Sequence, residues 1–313
     1  SMEKALNGKA TLLYAQGCNV VYDEQEQKDG ELGKTIARGD DAQMEAEALE
    51  VARQADVIVC AMGETADMSG ECASRTDLRM PDAQRHLLAQ LARTGKPIVL
   101  LNFSGRPTVL TWEQEHLPAI MNVWFGGSEA ADAICDVIFG DKVPCGKLTA
   151  SMPKTTGQEP LCYNHQNPGR PVPDDNPRFA KFASNYLDVR NGALYPFGYG
   201  LSYTTFEYGP LQISADHTAT VRVTNTGSRA ADEIVQLYIR DKVASISRPV
   251  KELKAFRRIH LAAGESQDVS FQITPDMLKF YNADLQYVLE PGEFDIMVGP
   301  NSRDTKNGTI SVK

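Results

Sequence analysis

The sequence lacks long apolar runs and clusters of basic side chains. A membrane-spanning helix needs roughly 18 or more consecutive apolar residues, and no stretch of the 313 residues approaches that length. Lys and Arg number 32 against 41 Asp and Glu, which gives a formal net charge of −9. Because nucleic-acid binding depends on clustered Lys and Arg, the composition predicts neither a membrane-spanning protein nor a nucleic-acid-binding one.

Metal and nucleotide motifs are missing as well. The six cysteines are scattered, with no C-x-x-C spacing, whereas zinc sites need closely spaced pairs of ligands. Cys60 and Cys135 lie in apolar runs and are predicted to be core residues, and disulfide pairing of the others is left open. Gly126-Gly127 precedes a predicted helix, but the dinucleotide fingerprint G-x-G-x-x-G is absent. Tight packing of the helix against the sheet explains these glycines better than a phosphate cradle, so we expect no metal and no cofactor.

The chain begins abruptly. Ser1-Met2 looks like an expression scar, and residues 11–14 already form a strand-like apolar run. No charged-then-apolar signal pattern precedes that run. We therefore expect a piece of a longer protein, for which the missing signal says nothing about the compartment of the parent.

Residues 3–150 alternate between strand and helix patterns. Short apolar runs suit strands buried on both faces of a parallel sheet, and apolar residues at helical spacing lie between them. The expected elements are strands at 57–62, 98–101 and 119–124, a helix at 43–55, a helix between Pro81 and Gly95, and a helix capped by Ser128 that runs to Phe139. The alternation predicts a layered α/β domain with a mostly parallel sheet.

The remaining residues form two further segments. Prolines and aromatic residues, among them Pro177 and Phe179, punctuate residues 151–208. This stretch could be a disordered linker, but disordered segments are poor in aromatics, so we expect an irregular connecting segment packed on the domains. Residues 209–313 alternate apolar and polar side chains with period two, as in Val235, Leu237 and Ile239. About seven short strands in ~100 residues predict a β-sandwich of the immunoglobulin or fibronectin type III style.

A long acidic loop follows the strand at 57–62. In parallel sheets, ligands bind at the carboxyl ends of the strands, and connections longer than about 2–6 residues tend to be functional. The loop carries four carboxylates and one arginine, namely Glu64, Asp67, Glu71, Asp77 and Arg75. Such a cluster could tune one acid for catalysis. A solvated surface loop is the alternative.

The motifs resemble those of family 3 glycoside hydrolases. They are Gly63-Glu64, Ser69-Gly70-Glu71 with Ser74-Arg75, Asp77 and Pro81, Thr94-Gly95-Lys96-Pro97, Gly105-Arg106-Pro107, Gly126-Gly127-Ser128-Glu129-Ala130, Gly146-Lys147-Leu148, Tyr163-Asn164-His165 with Gly169-Arg170-Pro171, the run 195–204, Val223-Thr224-Asn225-Thr226-Gly227 and Arg248-Pro249-Val250-Lys251-Glu252-Leu253. The resemblance covers nearly the whole chain and is greatest to the bacterial periplasmic β-glucosidases. It implies an α/β sandwich domain followed by a fibronectin type III-like domain, and a periplasmic or secreted parent.

The resemblance also implies a reaction and a catalytic residue. Family members hydrolyse β-glucosides or related oligosaccharides with retention of the anomeric configuration. Their nucleophile is an Asp of an N-terminal (β/α)8 barrel of about 250 residues. This chain has no room for such a barrel. Glu71 then corresponds to the general acid/base, the second carboxyl of a retaining pair. Without the barrel, the parent's β-glucosidase activity should be absent here, and Glu71 is expected to be exposed and possibly disordered.

Other assignments stay open. Glu64 is better explained as a structural hydrogen-bonding residue than as a substrate-binding or catalytic one. Arg75 is expected to pair with Asp77 and hold the loop, or else to line the sugar site. As a competing function, the chain could be a non-catalytic carbohydrate-binding or domain-packing module. Exposed aromatics of the sandwich could bind sugars in that case, although Tyr238 and Tyr287 are more simply explained by packing. A nucleotide-dependent enzyme is disfavoured because no phosphate motif is present.

Overall fold

The computed structural model describes residues 1–29, 38–174 and 180–313. It contains two compact units. Unit 1 comprises residues 1–141 and 153–159, and unit 2 comprises residues 142–152 and 160–313. Pro177 and Phe179 of the predicted connecting segment lie outside the described residues. In the part of the chain that is described, no helix is both long and apolar enough to cross a membrane.

Unit 1 is the predicted layered α/β structure. Its elements are α1 (Met2–Leu6), α2 (Glu24–Asp29), α3 (Asp41–Gln54), β1 (Ile58–Gly63), α4 (Asp82–Ala92), β2 (Ile98–Phe103), α5 (Thr111–His116), β3 (Ala119–Asn122), α6 (Ala130–Ile138) and a 3-10 turn (Thr156–Gln158). The strands form one sheet in the order β1-β2-β3. All pairs are parallel, with Ile58 opposite Ile98 and Val99 opposite Ala119. The predicted parallel sheet with intervening helices is thereby confirmed.

Helix α3 buries one face in the core of unit 1. α3 begins after Asp40, whose carboxylate accepts a hydrogen bond from the Gln43 backbone N–H at 2.8 Å. Its buried residues recur at helical spacing at Met44, Ala48 and Ala52. They join a core in which Leu88 of α4 and Leu100 of β2 are fully buried. Cys60 and Cys135 are buried free thiols, as predicted.

Two local predictions in unit 1 are wrong. Residues 11–14 form no strand within the described part of the chain, and Tyr14 is 80% exposed. A strand exists only through pairing with a neighbour, and a short apolar run alone does not provide one. Ser128 does not cap α6, because that helix begins after Glu129 and has no side-chain cap. Gly126 instead lies so close to Ala130 that an added Cβ would be 2.6 Å from the alanine Cβ, as close packing requires.

Unit 2 contains the predicted β-sandwich. Its elements are β4 (Phe206–Tyr208), β5 (Gln212–Ile213), β6 (Thr218–Asn225), β7 (Ala231–Asp241), β8 (Glu252–Leu261), β9 (Ser266–Gln272), α7 (Pro275–Leu278), β10 (Phe280–Tyr281), β11 (Tyr287–Val288), β12 (Gly292–Gly299) and β13 (Lys306–Val312). One sheet has the order β13-β12-β7-β8, and the other has β4-β6-β5 with β9 paired to β6. β6 alternates buried Ala219, Val221 and Val223 with partly or fully exposed residues, so one face of the strand supplies the core.

The aromatic residues around position 163 pack on the sandwich. The Tyr163 ring stacks on Phe197 with centroids 4.2 Å apart, and it meets the edge of Tyr238 at 5.9 Å. A backbone bridge between Gln166 and Pro249 joins the segment to the sandwich at a second place. These contacts favour the packed form of the connecting segment over a disordered linker. The predicted boundaries at 150 and 208 stay predictions.

A buried ion pair lies at one side of the sandwich. The Lys147 ammonium is 3.2 Å from both carboxylate oxygens of Glu233, and the two side chains are only 12% and 4% exposed. The Tyr208 hydroxyl donates to Glu233 Oε1 at 2.9 Å. Burial, reinforced by the negative charge of Glu233, raises the pKa of Tyr208 well above its usual range. Glu233 thus supplies the counter-charge for Lys147, whose ammonium also donates to the Gly200 carbonyl at 3.2 Å, and the acceptor for the Tyr208 hydroxyl.

Replacing Glu233 tests this arrangement. Glu233→Ala should lower the free energy of unfolding by about 3 kcal/mol, because it leaves a buried ammonium without a counter-charge and a buried hydroxyl without an acceptor. Urea unfolding followed by far-UV circular dichroism measures the loss. Glu207→Ala is the matched control, since it removes a carboxylate that is exposed on β4. Equal losses in the two variants would contradict the assigned role of the pair.

Candidate functional site

The acidic loop starts where the parallel strands end together. Gly63 at the end of β1 lies opposite Phe103 at the end of β2, and Asn102 lies opposite Asn122 at the end of β3. Residues that follow these positions therefore share one edge of the sheet. This is the edge at which open parallel sheets bind ligands. Residues 64–81 connect β1 to α4 along it.

Gly63 turns the chain into the loop. Its φ of +139° lies in a region that favours glycine. An added Cβ would stand 1.8 Å from the Phe103 carbonyl oxygen. The buried Gln84 side chain of α4 accepts from the Gly63 N–H at 2.7 Å and donates to its carbonyl at 2.9 Å. The direction in which the loop departs is thus fixed by backbone geometry and by a side chain of the following helix.

Glu64 is a buried hydrogen-bond acceptor, which favours its structural interpretation. Its side chain is only 2% exposed. The carboxylate accepts from Ser104 Oγ at 2.6 Å and from Arg106 Nε at 3.2 Å. Arg75 Nε lies 3.5 Å from Glu64 Oε1, the oxygen that Arg106 Nε also approaches at 3.2 Å. A buried carboxylate with these partners has its charge compensated and its position fixed.

Arg106 connects Glu64 to the loop. Its Nη2 donates to the carbonyl oxygens of Met68 and Ala73, the latter at 2.7 Å. Its own backbone N–H donates to Ser104 Oγ at 3.1 Å. We call Glu64, Ser104 and Arg106 the loop clamp. Sequence analysis quoted Arg106 only within a motif and missed this role, although its position just after β2 places it at the same edge as the loop.

Arg75 pairs with Asp77 differently from the prediction. Its Nε donates to the Asp77 main-chain carbonyl at 3.2 Å rather than to the carboxylate. The Asp77 carboxylate pairs with Arg79 instead, at 2.6 Å. Hydrogen bonds from Arg79 lower the pKa of Asp77 to about 2. Arg75 thus holds the loop together with Glu64, while Asp77 remains ionised at the end of the loop.

Glu71 is exposed at the turn of the loop, as expected. The turn is closed by the Ala73 N–H, which donates to the Gly70 carbonyl at 3.2 Å. Within the described residues, no hydrogen bond or ion pair engages the Glu71 carboxylate. The following residue, Cys72, has a left-handed φ of 59°. Glu71 therefore presents an unengaged carboxylate at the carboxyl edge of the sheet, a position suited to proton transfer with a bound molecule.

Two family models match most of the chain. Residues 3–203 match the model described as "Glycosyl hydrolase family 3 C-terminal domain". Residues 233–302 match the model described as "Fibronectin type III-like domain". The first match carries the loop and its clamp, and the second carries most of the sandwich.

Similar proteins are glycosidases by name. A periplasmic β-glucosidase of Salmonella typhimurium is 42% identical, over 99% of this chain and 42% of its own length. A β-xylosidase of Formosa agariphila is 40% identical, over 85% of this chain and 37% of its own. The crystal structure of a Listeria innocua β-glucosidase with glucose has a TM-score of 0.78 and 39% identity, covering 86% of this chain and 38% of that one. The chain thus spans about two fifths of the length of these relatives.

The Gly63 turn yields a stability prediction. Gly63→Ala should destabilise unit 1 by at least ~3 kcal/mol, because the methyl group collides with the Phe103 carbonyl and the φ angle is unfavourable for alanine. Both tryptophans, Trp112 and Trp124, lie in unit 1, so urea unfolding followed by tryptophan fluorescence reports on it. Gly157→Ala in the same unit is the control, since nothing lies within 4 Å of its Cβ position. A Gly63→Ala protein as stable as this control would refute the steric argument.

Proposed function

The chain belongs to glycosyl hydrolase family 3, and we propose that it carries the general acid/base of a retaining β-glucosidase, Glu71. The observation that carries the proposal is the unengaged, exposed Glu71 carboxylate on a fastened loop at the carboxyl edge of the parallel sheet. The motif around Glu71 and the names of the relatives support the same assignment. Because those relatives include β-glucosidases and β-xylosidases, the proposed substrates are terminal β-linked glucosyl or related residues.

The proposed reaction takes two steps with two carboxyl groups. In the first, protonated Glu71 gives its proton to the glycosidic oxygen as the C–O bond breaks, while a nucleophilic carboxylate attacks the anomeric carbon. In the second, the Glu71 carboxylate takes a proton from water, whose oxygen attacks the anomeric carbon and releases the nucleophile. Two inversions leave the anomeric configuration retained.

The nucleophile is proposed to come from a separate domain. Family resemblance assigns it to an Asp of a (β/α)8 barrel. The motifs found in residues 1–313 correspond to the domains that follow that barrel. Retaining chemistry needs both carboxyls, about 5–5.5 Å apart. The 313-residue chain alone is therefore proposed to be inactive, and its partner in catalysis is the barrel domain.

Glu71→Gln tests the assignment in a protein that contains both the barrel and this chain. Hydrolysis of cellobiose, which has a poor leaving group, should fall about 10²–10⁴-fold. Hydrolysis of 2,4-dinitrophenyl β-glucoside should fall much less in its first step, because that leaving group departs without a proton. Steady-state and pre-steady-state kinetics on both substrates measure the difference.

Two controls accompany this experiment. Glu115→Gln makes the same chemical change at an exposed helical position and should leave both rates unchanged. The 313-residue chain alone should show no turnover of the aryl glucoside above background. Equal losses on the two substrates for Glu71→Gln would sink the acid/base assignment, and turnover by the isolated chain would sink the separate-nucleophile argument.

The alternative of a carbohydrate-binding module has one observation in its favour. Tyr281 and Tyr287 form a pair of rings with centroids 5.0 Å apart, and they are 63% and 49% exposed. Tyr238, by contrast, is fully buried and serves packing, as predicted. Exposed aromatic faces can stack on the apolar faces of sugar rings.

Isothermal titration of the 313-residue chain with cello-oligosaccharides tests that alternative. If the pair binds sugar, Tyr281→Ala should weaken binding about tenfold. Tyr14→Ala, at an exposed tyrosine in unit 1, should leave it unchanged. An absence of binding by the unmodified chain would remove the alternative.

A further inference from the structure

We propose that Arg106 is a positioning residue that places the Glu71 carboxylate by tying both limbs of its loop to the sheet. The proposal deepens the function proposed for Glu71 and rests on it for its kinetic consequence. Its structural part, that Arg106 holds the loop in place, stands on the contacts of the loop clamp alone.

Backbone hydrogen bonds alone do not fix the turn of the loop, although Arg75 adds a side-chain contact from its Nη1 to Met68 Sδ at 3.3 Å. Its internal backbone bonds link Met68 to Thr65, Ser69 to Ala66 and Ala73 to Gly70, each at 3.2 Å. Single turns of this kind do not form a regular element and open at low cost. Glu71 itself makes no bond in the described chain that would hold it. Its position must therefore come from groups that hold the neighbouring backbone.

Arg106 holds that backbone on both sides of Glu71. Met68 and Ala73 lie three residues before and two residues after Glu71, and their carbonyls both accept from Arg106 Nη2. That nitrogen has two hydrogens, so one group satisfies both acceptors. Because the guanidinium is planar and rigid, its two bonds fix the distance between the two limbs of the turn.

The other end of the guanidinium is anchored in the sheet. Nε donates to Glu64, which follows β1 directly, and Ser104, which follows β2 directly, contacts the same carboxylate. Ser104 is fully buried and the Glu64 side chain is 2% exposed. Gly105 adds a steric limit, since a Cβ there would be 2.3 Å from Ser69 Oγ. The loop therefore lies directly against the chain that follows β2.

Lysine cannot replace this arrangement. An ammonium on a flexible stem keeps the positive charge beside Glu64, but it lacks the planar fork that reaches Glu64 and two carbonyls together. Arg106→Lys thus removes the geometry and keeps the charge. A general acid must lie within hydrogen-bond reach of the leaving oxygen, and a misplacement of about 1 Å can cost on the order of 100-fold in rate.

The structural part is tested on the 313-residue chain by amide hydrogen exchange. In Arg106→Lys, exchange of the Met68, Ser69 and Ala73 amides should accelerate about tenfold or more. The amide of Leu100, in the core strand β2, should be unchanged, which separates local loosening from global unfolding. The control Arg93→Lys makes the same change at an exposed helix end and should leave all four amides unchanged. Unchanged loop exchange in Arg106→Lys would overturn the proposal.

The kinetic part is tested in the protein that includes the barrel. Arg106→Lys should lower kcat/KM on cellobiose, which reports the first step, about 10–100-fold. It should lower kcat/KM on 2,4-dinitrophenyl β-glucoside far less. A loop that matters only for stability would lower both rates equally, and that result would overturn positioning even if loop exchange accelerates.

The two proposals fail in different ways. If Glu71→Gln itself shows no dependence on the leaving group, the acid/base assignment fails, whatever Arg106→Lys does. If Glu71→Gln shows the dependence and Arg106→Lys does not, the acid/base assignment stands and the positioning role is wrong.

Discussion

The Glu64–Arg106 ion pair is the constraint on which the candidate site depends. A carboxylate that is 2% exposed is costly to bury unless it is paired and hydrogen-bonded. Its partners come from three places in the chain, at positions 75, 104 and 106. Breaking the pair would leave a buried charge uncompensated. The backbone segments that carry these groups are therefore held in the arrangement that keeps the pair. The desolvation penalty of the buried carboxylate thereby favours a fixed geometry at the edge of the sheet.

The architecture was predictable because it depends on periodicity. Short apolar runs and helical spacing predicted the three parallel strands and their helices, and alternation with period two predicted the sandwich. Both follow from local side-chain direction, which sequence records directly. Residues 11–14 had the same apolar character and form no strand, because pairing depends on a neighbour that the local pattern does not specify. Ser128 is not the cap either, because α6 begins one residue later, after Glu129, and has no side-chain cap.

The alternation in β7 shows a further limit. Val235, Leu237 and Ile239 face the core as predicted, but Gln236 and Tyr238, on the opposite face, are buried as well. Gln236 donates to the Gly198 carbonyl at 3.1 Å, and Tyr163 meets Tyr238. The irregular connecting segment covers this face of β7. The alternation within β7 does not predict that contact. The role of Arg106 was hidden likewise, since its bond to Glu64 joins positions 42 apart in the chain. From the sequence, the role proposed for Glu71 was suggested by motif resemblance alone.

The loop clamp binds the acidic loop through main-chain carbonyl groups. Met68 and Ala73 contribute carbonyl oxygens, which every amino acid possesses, so the fastening places no chemical demand on the side chains at these two positions. The lining of the site can therefore diverge in sequence while the attachment is kept. Substitutions between the fixed points at 68 and 73 would therefore change the side chains that the loop presents and leave its attachment in place.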